Sequence, residues 1–139
     1  MDKLILFSKL DSLKRYVDRI RKKTPDTLDD LKLDLDHQDI IVLNLERAVQ
    51  VCVDIAAYII AEHDVQTPMS MSESFKSLKE IKIIDEKLME RMKKSVGFRN
   101  IAVHEYRSIN WEIVYTIIQE NLGDFQEYAR QIMFWLEKD

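Results

Sequence analysis

The chain has 139 residues, enough for one domain over residues 1–139 with a single hydrophobic core. Hydrophobic residues make up 46% of the sequence and charged residues 33%, which excludes a disordered chain. The sequence has only two glycines and two prolines, too few for the many tight turns of an all-β fold. The net charge of −4 argues against nonspecific binding of nucleic acid by the whole surface.

The first predicted helix runs from about residue 8 to residue 22, where apolar residues recur at spacings of three and four. The apolar run before it is too short for a secretory signal, and no run reaches the roughly 20 apolar residues of a membrane span. Seven basic residues lie between positions 9 and 23. Such a run is typical of a solvated helix face, but it also suits a phosphate backbone. We expect a soluble cytoplasmic protein.

A second helix is predicted from about residue 36 to residue 62, after Pro25 ends the first helix and Asp26 or Thr27 caps a short turn. Its broad apolar face includes the single cysteine, Cys52, which has no partner for an intrachain disulfide. We expect a buried thiol in a reducing compartment.

A polar stripe follows the same helix, with Glu46, Gln50 and Asp54 four residues apart. This spacing is typical of the solvent face of an amphipathic helix. The stripe can instead face a cleft or a subunit partner, where its charges hold or orient a site. The sequence leaves both interpretations open.

Three more helical segments are predicted. Ser72 is expected to cap a short helix, Asp85 to start a longer one, and Asn110 to cap a helix that begins at Trp111 and kinks near Gly123. No run alternates with period two, so a sheet is not expected. About five helices with short connections predict an all-α antiparallel bundle.

The segment VGFRNIAVHEY, residues 96–106, places unusual polar groups inside the helix that starts at Asp85. On an ideal helix Arg99 and Tyr106 share one face, and Asn100 and His104 share a neighbouring one. Six basic residues between positions 87 and 107 surround this set. Gly97 costs about 1 kcal/mol relative to alanine inside a helix, so its use here predicts close approach of another group.

These residue types fit metal-free RNA cleavage, in which a 2′-hydroxyl attacks the adjacent phosphate. Arg99 offers a planar fork of donors for phosphate oxygens, and His104 can exchange protons near neutral pH. Asn100 can orient the histidine or bind the substrate. On spacing alone, Arg99 can equally be a structural arginine paired with a carboxylate, and His104 a histidine satisfied near a helix end.

No second catalytic centre competes with this segment. One cysteine cannot build a thiolate zinc cluster, and the sequence contains neither a phosphate-binding glycine loop nor a nucleophile elbow. We therefore predict no metal site and no cofactor.

The segment resembles the signature of the HEPN superfamily, an arginine followed after four to six residues by a histidine. Tyrosine two positions after the histidine is similar to the HepT branch of that superfamily. The stretches LERAVQVCVDIAAYIIAE, SFKSLKEIKIIDEKLMERMKKS and INWEIVYTIIQENLGDFQEYARQI also resemble that branch. The similarity extends from about residue 36 to residue 132.

The resemblance implies an all-helical ribonuclease toxin of a toxin–antitoxin pair, acting as a homodimer whose two motif copies line a shared cleft. Arg99 and His104 would be the catalytic pair and Asn100 a supporting polar group. The implied partner is a minimal nucleotidyltransferase antitoxin that silences the toxin by transferring AMP to Tyr106. A negative phosphate beside Arg99 would neutralise it and repel RNA.

Two other classes of function remain open from the sequence. Helical domains of this kind also serve as non-catalytic nucleotide- or substrate-binding partners of nucleotidyltransferases, in which case Arg99 and His104 would only bind a phosphate. A purely structural bundle is disfavoured by the basic cluster around the motif.

Overall fold

The computed structural model describes residues 1–138, and within them the chain is helical without a strand, as predicted. In chain order the elements are α1 (Lys3–Lys23), α2 (Leu28–Leu33), α3 (Leu35–Ile60), α4 (Met71–Glu80), α5 (Glu86–His104), a 3-10 turn (Tyr106–Ser108), α6 (Trp111–Thr116), a π-helical turn (Ile117–Asn121) and α7 (Gly123–Glu137). No helix in residues 1–138 is both long and apolar enough to span a bilayer.

The long helix α3 forms the centre of the bundle. Helix α1 packs along it, and α4, α5 and α7 also contact it. Its buried apolar residues, together with those of α1, α5 and α7, form one continuous core. Helix α3 is apolar around most of its circumference, and other helices cover it on several sides. Its polar residues therefore lie near the gaps between those helices.

Three helix starts are set by predicted caps. The side chains of Thr27, Asp85 and Asn110 accept hydrogen bonds from the first free backbone N–H groups of α2, α5 and α6. The prediction for α4 was wrong by two residues, because its cap is Ser70 rather than Ser72.

Ser70 is the better cap because a glutamate follows it at the right spacing. Its hydroxyl accepts from the backbone N–H of Glu73 at 3.1 Å, and the carboxylate of Glu73 accepts from the backbone N–H of Met69 at 2.7 Å. Two backbone donors at the helix start are thus satisfied by one pair of side chains, much as in a capping box.

Cys52 is buried as predicted, with no exposed surface. Burial, and then the nearby charge of Asp54, raise the pKa of its thiol well above the usual value. The carbonyl oxygen of Cys52 accepts a hydrogen bond of 2.8 Å from the hydroxyl of Tyr128. This contact ties α7 to the middle of α3.

The predicted break near Gly123 occurs one element earlier. The chain passes from α6 into the π-helical turn before α7 begins at Gly123. A π-helical turn inserts one extra residue into the helical repeat and bends the axis, so it accounts for the break without the glycine.

Candidate active site

The motif lies at the carboxyl end of α5. This helix begins after its cap Asp85 and ends at His104, because Glu105 leaves the helical conformation with φ −136° and ψ 43°. Arg99 and His104 therefore belong to the last turns of α5, whereas Tyr106 starts the following 3-10 turn. The helical repeat that was used to place Tyr106 on the face of Arg99 ends before Tyr106, so the repeat does not determine where Tyr106 lies relative to Arg99.

The opposite end of α5 is anchored to α7 through Gln131. The backbone N–H of Asp85 donates to Oε1 of Gln131 at 2.9 Å, and Nε2 of Gln131 donates to Oδ2 of Asp85 at 2.9 Å. Nε2 also donates to Glu127 at 3.0 Å. Because α5 is one continuous helix, fixing its start also restricts the direction in which its end projects the motif.

Arg99 is half-buried and carries its charge without an acidic partner. Its Nη1 donates to Oδ1 of Asn100 at 3.3 Å. Its Nε is covered from solvent and has no hydrogen-bond partner among the described residues, where the guanidinium also forms no ion pair. A buried donor without an acceptor costs about 1–3 kcal/mol, so this arrangement is unusual for a purely structural arginine.

His104 is exposed as the last residue of α5. Its ring makes no hydrogen bond with another residue in the part of the chain that the structure describes. Asn100, one helical turn earlier, is also exposed. The end of α5 thus presents an imidazole and an amide to solvent beside a half-buried guanidinium.

Tyr106 is held by a residue from another helix. Its hydroxyl donates a short hydrogen bond to Oδ1 of Asp39 on α3, and its ring meets that of Trp111 edge to face, with centroids 6.4 Å apart. Burial raises the pKa of Tyr106 to about 12, together with the hydrogen bond to Asp39 and the negative charges of Asp39 and Glu46. The side chain nevertheless remains 39% exposed.

Asp39 is the residue of this site that the sequence analysis missed, because it lies in a run of aspartates. The usable signal was its spacing of seven residues from Glu46, which puts both carboxylates on one face of α3. Glu46 is half-buried and acts on Tyr106, whereas Gln50 and Asp54 pair with each other at 2.9 Å. Of the polar stripe of α3, Glu46 thus belongs to the site, whereas Gln50 and Asp54 form a hydrogen-bonded pair with each other.

The predicted close approach at Gly97 was also wrong. A Cβ atom built on Gly97 would have no non-local heavy atom of the described residues within 4 Å. The residue lies on the exposed side of α5, so neighbouring helices do not crowd it.

A cavity of about 280 Å³ lies beside α5, two turns before the motif end. Its wall is mainly apolar and includes Met92 and Phe98, while Arg91, Lys94 and Asp124 contribute polar groups. None of the described lining atoms belongs to Arg99, Asn100, His104 or Tyr106. The motif therefore sits on an open surface rather than inside this pocket.

No three histidine, cysteine, aspartate or glutamate side chains within residues 1–138 are close enough together to hold a metal ion. The groups gathered at the end of α5 are instead one guanidinium, one imidazole, one amide and one phenol, with two carboxylates behind the phenol. This set suits the binding of an anion and the transfer of protons.

Comparison with known proteins yields relatives that are named as nucleases. The chain is 36% identical over 124 residues to an mRNA nuclease HepT of Shewanella oneidensis, which covers 89% of this chain and 92% of the relative. It is 28% identical over 136 residues to a tRNA nuclease HepT of Aphanizomenon flos-aquae, covering 98% of this chain and 92% of the relative.

The fold matches a solved structure at similar sequence identity. The tri-AMPylated HEPN toxin of Shewanella oneidensis, solved in complex with an MNT antitoxin, superposes with a TM-score of 0.88. It is 35% identical, and the alignment covers 96% of this chain and 98% of that one. The family model described as ribonuclease HepT-like matches residues 13–132. This chain therefore belongs to the HepT-like ribonuclease family.

Proposed function

We propose that the chain is a ribonuclease toxin that cleaves RNA without a metal ion, using Arg99 and His104. The observation that carries this proposal is the state of Arg99, whose guanidinium has no acidic partner in residues 1–138 although it is half-buried. A positive charge held in this way is available to a phosphate. The nuclease names of the relatives support the same reaction class.

In the proposed reaction the 2′-hydroxyl of one nucleotide attacks the adjacent phosphorus. His104 moves the protons, and it is suited to this because its imidazole is exposed and can both accept and donate a proton. Arg99 stabilises the negative charge that develops on the phosphoryl oxygens. Asn100 holds the guanidinium through the 3.3 Å hydrogen bond and remains exposed to substrate.

The proposed working unit is a homodimer in which two copies of the motif line one cleft. Ile101 and Val103, which alternate with the polar motif residues on α5, are 46% and 43% exposed. Apolar side chains of this size are usually buried, and their exposure next to the motif suits an interface between two copies.

We further propose that a minimal nucleotidyltransferase antitoxin silences the toxin by transferring AMP to Tyr106. Tyr106 is an exposed residue just after the end of α5, and a similar HEPN toxin is known in a tri-AMPylated state bound to an MNT antitoxin. A phosphodiester on Tyr106 would add negative charge to the surface that carries the motif and would repel the RNA backbone.

The test is cleavage of tRNA and mRNA probes by the purified chain with EDTA present. Arg99→Ala and His104→Ala should each lower the cleavage rate at least about 100-fold while the helical circular dichroism is unchanged. Arg107→Ala, which removes an exposed arginine three residues after His104, is the matched control and should retain most activity.

Three results would reject this mechanism. Cleavage could survive both substitutions, it could disappear with EDTA, or the wild-type chain could bind nucleotide without cleaving either RNA. The last result would instead support a non-catalytic binding partner of a nucleotidyltransferase.

A further inference from the structure

The hydrogen bond between Tyr106 and Asp39 joins two parts of the chain that are 67 residues apart. The tyrosine hydroxyl is the donor and the Asp39 carboxylate the acceptor. In residues 1–138 the Asp39 side chain has no other hydrogen bond and no ion pair. The Tyr106 hydroxyl is therefore the one group that its carboxylate contacts by a polar interaction there. A surface aspartate of α3 is thus positioned as a proton acceptor for one tyrosine.

The ring and the hydroxyl of Tyr106 are both held in place although the residue is exposed. Trp111 packs against the ring at an interplanar angle of 76°, and Asp39 holds the oxygen. Because the residue is still 39% exposed, Tyr106 lies on the surface where a second molecule can contact it. The geometry therefore presents a phenol oxygen in one defined direction.

The same surroundings oppose the ionised form of the tyrosine. Burial and the carboxylates of Asp39 and Glu46 raise the pKa of Tyr106 to about 12, so the phenolate is nearly absent at neutral pH. If this oxygen acts as a nucleophile, the hydroxyl must then lose its proton while the new bond forms rather than before the attack. Within residues 1–138, the acceptor that is hydrogen-bonded to this hydroxyl is Asp39.

We propose that Asp39 orients the hydroxyl of Tyr106 and accepts its proton when AMP is transferred to it. The Tyr106 oxygen attacks the α-phosphorus of ATP held by the antitoxin and forms the new phosphoester bond. The bond from the α-phosphorus to the bridging oxygen breaks, and pyrophosphate leaves with the electron pair. The proton passes from the tyrosine oxygen to the carboxylate of Asp39. Because this role exists only if Tyr106 accepts AMP, it rests on the proposed function.

Glu46 has a different part in this arrangement. It acts on Tyr106 through its charge and makes no hydrogen bond to the hydroxyl in the described residues. It lies two helical turns after Asp39 on the same face of α3. Glu46 therefore cannot replace Asp39 as the acceptor without a change in backbone geometry.

The experiment measures the initial rate of the first AMP addition by intact mass. The chain is incubated with ATP, Mg²⁺ and a purified minimal nucleotidyltransferase antitoxin. Asp39→Asn keeps an oxygen acceptor but cannot take a proton, and Asp39→Glu restores the carboxylate. Asp36→Asn removes an exposed charge one turn earlier on α3 and is the matched control.

Asp39→Asn should lower kcat for the first addition about 100-fold, while the KM for ATP and the affinity for the antitoxin stay unchanged. Asp39→Glu should recover part of the rate, and Asp36→Asn should match wild type. A wild-type rate for Asp39→Asn would overturn the role of Asp39, as would equal slowing by Asp39→Asn and Asp36→Asn or a loss of antitoxin binding.

The variants also separate this role from the proposed silencing itself. If the wild-type chain receives no AMP, or if Tyr106→Phe receives as much as wild type, Tyr106 is not the acceptor and the proposed silencing fails together with the role of Asp39. If wild type is modified at Tyr106 and Asp39→Asn is modified equally fast, only the role of Asp39 fails.

Discussion

The Nη1 atom of Arg99 donates a hydrogen bond of 3.3 Å to the Oδ1 atom of Asn100, its direct neighbour on α5. Neighbouring residues on a helix point about 100° apart, so this contact draws the long arginine side chain toward the side of the asparagine. His104 lies one turn further on that side of the helix. The asparagine amide thus moves the guanidinium toward the imidazole.

This contact predicts opposite behaviour for two substitutions of Asn100. Asn100→Ala removes one hydrogen bond and should lower RNA cleavage about tenfold, which corresponds to roughly 1.4 kcal/mol. Asn100→Asp places a carboxylate beside Arg99, neutralises it and should lower cleavage further. Single-turnover cleavage of an RNA probe measures both. An aspartate variant as active as wild type would contradict the role of the charge on Arg99.

The raised pKa of Tyr106 predicts a loss of stability at alkaline pH. A group whose pKa is higher in the folded state contributes stability below its unfolded value, and that contribution is lost as pH rises toward the folded value. For Tyr106 this loss of stability falls between about pH 10 and about pH 12. Urea unfolding at about pH 9 and about pH 11 should show a smaller pH-dependent loss for Tyr106→Phe than for wild type.

A buried thiol and a buried phenol elsewhere in the bundle also have raised pKa values, but they do not affect this comparison. These groups, Cys52 and Tyr128, are present in both proteins. Tyr16→Phe, a change of a half-buried tyrosine on α1, is the control and should behave as wild type. Equal pH-dependent losses for Tyr106→Phe and wild type would show that the hydroxyl of Tyr106 is not held by Asp39.

The link between Asp85 and Gln131 predicts a stability effect that reaches the motif. Gln131→Ala removes hydrogen bonds to the backbone and side chain of Asp85 and to Glu127. Since this region is largely exposed, we expect a loss of about 1 kcal/mol in the free energy of unfolding. Hydrogen exchange along α5 should rise, first at its start. Gln126→Ala, an exposed glutamine on α7, is the control.

The exposed apolar residues of α5 predict a dimer interface that one charged substitution would weaken. Val103→Asp should weaken self-association at least about tenfold, because a carboxylate would be buried at the interface. Phe134→Asp, on α7 and 55% exposed, should leave it unchanged. Light scattering over a concentration series measures both. Dimers of unchanged strength in Val103→Asp would place the interface elsewhere.

Replacing Gly97 by alanine is expected to stabilise the fold without a steric clash. It lies in the interior of α5, it has no positive φ, and a Cβ atom there meets nothing within 4 Å among the described residues. Gly97→Ala should therefore raise the free energy of unfolding by about 0.5–1 kcal/mol in thermal or urea unfolding. An unfolding free energy below that of wild type would mean that another chain contacts this position.

Most helices could be predicted because their signals are local. The spacing of apolar residues and the caps Thr27, Asp85 and Asn110 act within one or two turns, and the structure confirms them. The cap of α4 was misplaced because two serines compete within three residues, and the glutamate that selects Ser70 was not considered. The π-helical turn before Gly123 was not predicted either, since it has no comparably local sequence signal.

The sequence by itself determined an all-α bundle and made Arg99, Asn100, His104 and Tyr106 the candidate site residues, because helical periodicity and short motifs are properties of short segments. Only the tertiary structure decided that α5 ends at His104 and that Tyr106 turns toward Asp39 on α3. A periodic pattern defines the faces of one helix, but it carries no information on which helix packs against each face. Contacts between residues that are 67 positions apart therefore had to come from the packed bundle.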